Sequence, residues 1–248
     1  LDVDYPAKNI NHELPDFVDK LLGEPPPSFQ EVSVSAKIIK ELRIGYNGRY
    51  LVYPYIQSDG NCYAARCVHP ERVEDFFWYG DERFTDEPFR LFNAPAIEHC
   101  ENGALFLVEG EQNLLPLKQI GLPGIAVPGA GDLEFLDERR LHWIKTIFLW
   151  VNHTAESEAM ARSFATRTGY KVRLIRWPEH TPRNSSIFQL AARTGQAFQK
   201  QVLTFVKEAQ AFSPFASPAG EYQTFNERLA LESDTSYASL ITGFMRMD

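Results

Sequence analysis

Glu109, Gly110 and Glu111 end the apolar run "ALFLV" with two carboxylates on either side of one glycine. Carboxylates so placed can hold Mg²⁺ through hard oxygens or move a proton as general acid and base. The same pattern also ends an ordinary buried strand. Which of the two Glu109 is depends on the elements that position it.

Those elements begin with a β-rich block and change to an alternation after about Pro95. "SVSAKIIKELRIGY" predicts a helix with Ser35 as its N-cap and Ile38, Ile39 and Leu42 as its apolar stripe. "GRYLVYPYIQSDGNCYAARCV" predicts two strands around an Asp59-Gly60 turn, and "DFFWYG" a third. Then "ALFLVEG" has the composition of a buried strand, "QNLLPLKQIG" of a helix closed by Gly121, and "GIAVPG" of a second strand. "DERRLHWI" is expected as a helix, "KTIFLWVN" as a strand, "TAESEAMARSFATRTG" as a helix capped by Thr154, and "YKVRLIRW" as a fourth strand. Such alternation predicts an α/β fold with a parallel sheet covered by helices on both faces, behind an α+β N-terminal subdomain. In an open parallel sheet, chemistry collects at the carboxyl ends of the strands, where Glu109 falls. "SSIFQLAARTGQAFQKQVLTFVKEAQAF" predicts a long helical tail that breaks at Gly195, and "SPFASPAGEYQT" a loose linker. The expected divisions are a connector at 1–34 with a short helix around Leu14 to Leu22, the N-terminal subdomain at 35–100, the βαβ domain at 101–184, and a helical tail and linker at 185–248.

A chain of 248 residues with 44% hydrophobic and 23% charged residues can bury one large core or two modest ones, which excludes a disordered or fibrous class. No apolar stretch has membrane-spanning length, and the N-terminus lacks a basic region followed by an apolar one, so no membrane partner is expected. A cytoplasmic protein is expected, or a nucleoid or mitochondrial-matrix one if organellar. Leu1 in place of methionine suggests an excised or processed piece of something longer. The three cysteines cannot all pair, and Cys62 and Cys67 stand at a strand spacing that points them to opposite faces, so free thiols are expected. The alternative is a metal held by Cys62, Cys67 and His69. A net charge of −8 argues against a general nucleic-acid binder, yet residues 161–208 carry nine basic side chains against Glu179 and Glu208 and are compatible with a phosphate-facing surface.

The order strand, Glu-Gly-Glu, helix, Gly, strand "IAVPG", then a strand and the helix "AESEAMA" beginning at Ala155, resembles the Toprim fold of bacterial DnaG-type primases and phage primase-helicases. The preceding block is similar to the N-terminal subdomain of the same core, with Tyr53-Pro54, Asp59-Gly60 and Arg66 at the family's aromatic-proline pair, turn and arginine. The likeness covers roughly residues 35 to 190. The last twelve residues, "YASLITGFMRMD", resemble the entry to a RecA-like, DnaB-family helicase domain, with Met247 and Asp248 at the hydrophobic and acidic positions. A primase-like core leading into a ring helicase is the layout of phage primase-helicases and of Twinkle-like helicases. The resemblance implies single-stranded DNA, a helicase domain of the same longer chain and a ring oligomer as partners. A zinc ribbon, which such primases often carry ahead of the core, has no signature here, so no zinc is expected in this segment.

The resemblance also implies Mg²⁺ bound by Glu109 and by an Asp-x-Asp at the end of the third parallel strand. This chain has Val151 and His153 at those positions, or Asn152 and Thr154 if the register slides by one. Valine has no donor atom and imidazole is a poor ligand for Mg²⁺. The family's Glu-Gly-Glu-x-Asp has become Asn113 at its last place, and the acidic run expected later is "TPRNSSIF", with Arg183 and Asn184. Mg²⁺ binding is therefore expected to be weak and to rest on Glu109, with Glu111 doubtful as a catalytic partner. The primary expectation is a primase-like region that binds single-stranded DNA and supports a helicase, with primer synthesis lost. The nucleic-acid contacts expected are Arg49, Arg66 and Lys118 near the cleft and Arg173, Arg176 and Arg183 beyond the fourth strand, with Tyr53, Tyr55 and Tyr63 able to stack bases or pack the core. Two other readings stay open. One is an active metal-dependent primase whose acidic set is completed by Asp132, Glu134 or Asp137. The other is an oligomerisation module with no nucleic-acid role.

Overall fold

The computed structural model describes residues 7–86, 89–100 and 103–212. Strand β1 (Gly45–Tyr46), β2 (Leu51–Ile56), β3 (Cys62–Val68) and β4 (Phe76–Gly80) form an antiparallel sheet in that order. A second, parallel sheet holds β5 (Ala104–Glu109), β6 (Gly124–Val127), β7 (Thr146–Trp150) and β8 (Val172–Leu174) in the order β6-β5-β7-β8.

Alternation along β5 and β7 sorts their side chains between two layers, as a period of two requires. Phe106, Val108, Phe148 and Trp150 face a core shared with α4 (Glu111–Gln119), α6 (Ile187–Thr194) and α7 (Phe198–Glu208). Leu105, Leu107, Ile147, Leu149 and Val151 face α5 (Ala155–Thr168) through Ala161, Phe164 and Ala165. Helices thus cover both faces of the parallel sheet, as its composition predicts. The first core extends without a break into the antiparallel sheet, where Tyr53 and Tyr55 pack against Phe92. Helix α5 begins as expected, with Thr154 Oγ1 accepting the Ser157 amide at 3.0 Å, and α3 (Ala36–Glu41) begins with Ser35 accepting the amide of Ile38. No helix among the described residues is long and apolar enough to cross a membrane.

Some local expectations are corrected. The short helix expected around Leu14 to Leu22 is present as α1 (Leu14–Gly23), but the proline-rich break after it forms a second helix, α2 (Pro27–Val32), and the two bury Leu14, Val18, Leu21 and Phe29. The prolines start α2 at a helical first turn, where a missing amide costs nothing. "DERRLHWI" forms only a single 3₁₀ turn, Glu138–Leu141, because Asp137 caps it and its apolar residues are too few for a helical stripe. The helical tail does break at Gly195, but α6 and α7 are core elements that bury Ile187, Phe188, Phe198 and Val202. The expected loose linker and the helicase-like ending after it, within 213–248, lie outside the described residues.

The thiols also depart from expectation. Tyr55 pairs with Ala64 and Ile56 with Cys62, so β3 carries one extra residue there. This bulge shifts the phase and turns Cys62 into the same small core as Cys67, with Ile10, Leu14 and Val52. Both thiols are free and buried, and burial pushes each up to about 12. At pH 8 a thiol reagent is expected to modify Cys100 alone in the native protein, and all three cysteines after unfolding, as read by mass spectrometry.

Candidate functional site

The strand β5 ends at Glu109 because Gly110 turns the chain at φ +83°, a conformation open to glycine. Helix α4 starts one residue later. Glu109 Oε2 accepts the amide of Asn152 at 2.9 Å, which ties the end of β5 to the segment following β7. Asn113, on the first turn of α4, completes this junction. Its Nδ2 donates to the Glu109 carbonyl at 2.6 Å and to Asn152 Oδ1 at 2.9 Å, and its Oδ1 accepts the amide of Phe188 at 2.8 Å. One buried carboxamide therefore holds β5, the β7 terminus and the start of α6 together.

Glu111 takes no part in this junction. It faces the antiparallel sheet, where Tyr55 donates its hydroxyl to Oε1 at 2.7 Å and Arg66 Nη1 lies 2.8 Å from Oε2. Both ions are almost completely buried. Burial works against the Arg66 charge, but the adjacent Glu111 carboxylate, together with Tyr55 and Tyr53, outweighs it and holds the guanidinium pKa above its usual range. Burial and the Glu111 charge push the Tyr55 phenol well up, so it stays a donor. Arg66 also lies over the Phe76 ring at 4.2 Å. The pair expected to be a catalytic acid and a phosphate contact is a buried ion pair that joins the start of α4 to the antiparallel sheet.

The aspartate positions are occupied by side chains turned elsewhere. Val151 faces the α5 layer, and its carbonyl accepts Trp177 Nε1 at 2.8 Å. His153 stacks on Trp177 with ring centroids 5.9 Å apart, has Nδ1 3.1 Å from the Pro182 carbonyl, and Nε2 3.5 Å from Glu158. The residue that meets Glu109 and Asn113 is Asn152, from the alternative register, through its backbone amide to Glu109 and its side-chain oxygen to Asn113. Among the described residues no three His, Cys, Asp or Glu side chains are grouped as a metal would need. The donor set at the β5 terminus is one carboxylate, which accepts the Asn152 backbone amide, and two carboxamides bonded to each other, which does not fit the pair of hard cations that nucleotidyl transfer uses. Of the loop acids, Asp132 is held by Arg90 at 3.2 Å and by the Gly129 amide, and Asp137 caps its own turn.

The basic candidates are dispersed. Arg49 lies over Tyr50, whose ring packs on the cysteine-bearing core on the far face of the antiparallel sheet. Lys118, in the last turn of α4, pairs with Glu41 at 2.6 Å. That places it about 10 Å along the helix from Glu111, away from the strand termini. Arg173 donates to the Ala209 carbonyl at 2.9 Å and helps fasten the chain beyond α7. Arg176 and Arg183 are exposed in the segment after β8, at the carboxyl end of the sheet. Arg183 lies 3.2 Å from Glu158, which also faces the exposed Arg162 at 3.9 Å. Tyr53 and Tyr55 are fully buried and cannot stack on a base, and Tyr63 stacks on Phe84 at 4.3 Å. The residues that sequence reasoning missed are Trp177, which walls in His153, and Glu158, the shared partner of His153, Arg162 and Arg183. The tryptophan that closes "YKVRLIRW" was the available signal.

No known family's sequence profile matches the chain, and no curated protein matches it in sequence. Solved structures do match in fold. A DnaG primase catalytic domain bound to single-stranded DNA is similar at TM-score 0.58 and 10% identity, over 81% of this chain and 77% of that one. The primase fragment of the bacteriophage T7 primase-helicase gives 0.55 at 14% identity, over 70% and 72%. An Aquifex aeolicus primase with its zinc-binding and RNA polymerase domains gives 0.58 at 16% identity, over 94% and 66%. The chain has the mixed α/β fold of the DnaG-type primase catalytic core.

Proposed function

We propose that this chain is the primase-like region of a replicative primase-helicase, which holds single-stranded DNA and supports a ring helicase of the DnaB type after losing primer synthesis. The observation that carries this reading is the junction of Glu109, Asn113 and Asn152. It stands where the primase resemblance implies a metal ligand but is built as a hydrogen-bond network. Phosphoryl transfer of this class draws on metal ions to position the nucleotide and spread transition-state charge. A network of two carboxamides and one carboxylate supports strand packing instead.

Binding without chemistry needs cations but no metal. Arg176 and Arg183 are the exposed candidates at the carboxyl end of the sheet, and contact with phosphates makes binding salt-sensitive and tolerant of sequence. The domain of similar fold that binds single-stranded DNA supports this partner class. The active-primase reading would need Asp132, Glu134 or Asp137; Asp132 is held by Arg90 and the Gly129 amide and Asp137 caps its own turn, which leaves the exposed Glu134.

The test is fluorescence anisotropy with a labelled oligothymidylate across a salt series. Affinity is expected to fall log-linearly with salt, and the Arg176→Ala/Arg183→Ala variant to flatten the slope by about 1.4, two contacts at ~0.7 each. Glu109→Gln is expected to leave DNA binding unchanged, and calorimetry is expected to find no saturable Mg²⁺ binding that depends on Glu109. Template-dependent primer synthesis that Glu109→Gln abolishes would overturn the proposal.

A further inference from the structure

Three of the four sheet edges are closed. The outer side of β6 is covered by Phe92, which exchanges backbone hydrogen bonds with Ala126 at 2.8 and 3.1 Å. On β8, the Phe212 amide bonds the Val172 carbonyl at 2.8 Å. Strand β1 has only two residues and lies beneath α1, so close that a Cβ on Gly45 would come within 2.3 Å of Phe17. The outer edge of β4 is covered by nothing among the described residues.

The register shows which groups that edge offers. His69 donates to the Asp75 carbonyl and Asp81 to the Tyr63 carbonyl, so the odd-numbered residues of this stretch bond to β3. Alternation in an antiparallel ladder then directs the backbone amides and carbonyls of Phe76, Trp78 and Gly80 outward. Phe76, Phe77 and Tyr79 are unusually exposed for aromatic residues, at 47%, 41% and 37%, and Val73 beside them is 49% exposed. An open, apolar edge is what natural sheets avoid unless something pairs with it.

Charge indicates what that partner is. Residues 69–86 contain Glu71, Glu74, Asp75, Asp81, Glu82 and Asp86 against only Arg72 and Arg83. Those two arginines are paired within the segment, with Asp75 at 2.9 Å and Asp81 at 2.6 Å. Glu71 and Glu74 are exposed before the strand, and Glu82 and Asp86 after it. Carboxylates at both ends of an aromatic edge repel a nucleic-acid backbone and disfavour the chain's own residues 213–248, which carry five acids and two arginines. They attract lysine and arginine.

We propose that β4 is a docking edge for an extended, basic segment of another protein, which adds as a fifth strand beside Phe76, Trp78 and Gly80. Main-chain hydrogen bonds give the register, the aromatic side chains receive the segment's apolar residues, and the flanking carboxylates select its cations.

The test uses the full chain, isotopically labelled, with two synthetic heptapeptides: one alternating valine or threonine with lysine, the other with glutamate in place of lysine. The lysine peptide is expected to slow exchange of the Phe76, Trp78 and Gly80 amides at least tenfold and to leave those of Phe77 and Tyr79, already bonded to β3, nearly unchanged. Glu71→Lys/Glu74→Lys/Glu82→Lys, all at exposed positions, is expected to weaken that peptide at least tenfold. Equal binding of the glutamate peptide would overturn the proposal, as would protection of these amides by single-stranded DNA. Protection already present in the free chain would do the same: independent of concentration it would assign the edge to the chain's own segment, and dependent on concentration to a second copy.

Discussion

Arg66→Ala is expected to destabilise the protein by about 3–5 kcal/mol, measured as the shift of the urea unfolding midpoint at pH 7. The size follows from what the substitution leaves behind. Glu111 is 2% exposed, and without Arg66 its remaining hydrogen-bond partner is the Tyr55 hydroxyl. A buried carboxylate with one neutral donor is an uncompensated charge, which costs far more than the loss of an ion pair whose two halves are removed together. The double variant Arg66→Met/Glu111→Leu is accordingly expected to recover most of the loss. DNA binding separates this structural role from the phosphate contact expected from sequence. If Arg66 only joins α4 to the antiparallel sheet, the double variant binds single-stranded DNA with the wild-type salt slope. A slope reduced by about 0.7 would return Arg66 to the nucleic-acid interface.

Arg66 and Glu111 also show how far the sequence could be read. The strands and helices around them were legible because period-two alternation, the Thr154 and Ser35 caps and the glycine after Glu109 are local signals. The junction at Glu109 was legible in part, since a strand-ending carboxylate can accept neighbouring amides, and Asn152 supplies one. What local signals cannot carry is which partner a charged side chain meets. Arg66 on β3 and Glu111 on α4 are separated by 45 residues, and Lys118 meets Glu41 from another helix. Each looked available for a ligand because its counter-ion arrives through the tertiary fold. The bulge that swings Cys62 towards Cys67 is equally non-local, since it exists only in the pairing of β2 with β3. Helix α2 was hidden by composition: prolines that read as a break are helix starters when apolar residues follow at a spacing that reaches the core.

The second large effect is expected from Asn113→Asp, which puts back the acid that the primase resemblance implies. In the wild type Nδ2 is a donor to two oxygens, the Glu109 carbonyl and Asn152 Oδ1, so an aspartate would face two acceptors with a third. Asn113 is 1% exposed, and an ionised carboxylate there keeps only the Phe188 amide as donor. A loss of about 3 kcal/mol or more is expected at pH 7. The sign with pH follows from linkage. Burial among acceptors raises the folded-state pKa of the new carboxyl above its unfolded value of about 3.9, so the unfolded state gives up its proton first. The deficit relative to wild type is therefore smallest at or below about pH 4 and grows as pH rises, whereas the asparagine it replaces does not titrate. Magnesium gives the decisive comparison. A ligand that binds only the folded state stabilises it by mass action, so a working metal site would restore the midpoint as Mg²⁺ is added. With Val151 turned into the α5 layer and His153 held beneath Trp177, no rescue by millimolar Mg²⁺ is expected. Full rescue would mean that Glu109, Asn152 and one added carboxylate suffice to bind the ion, and would count against the proposal that primer synthesis is lost.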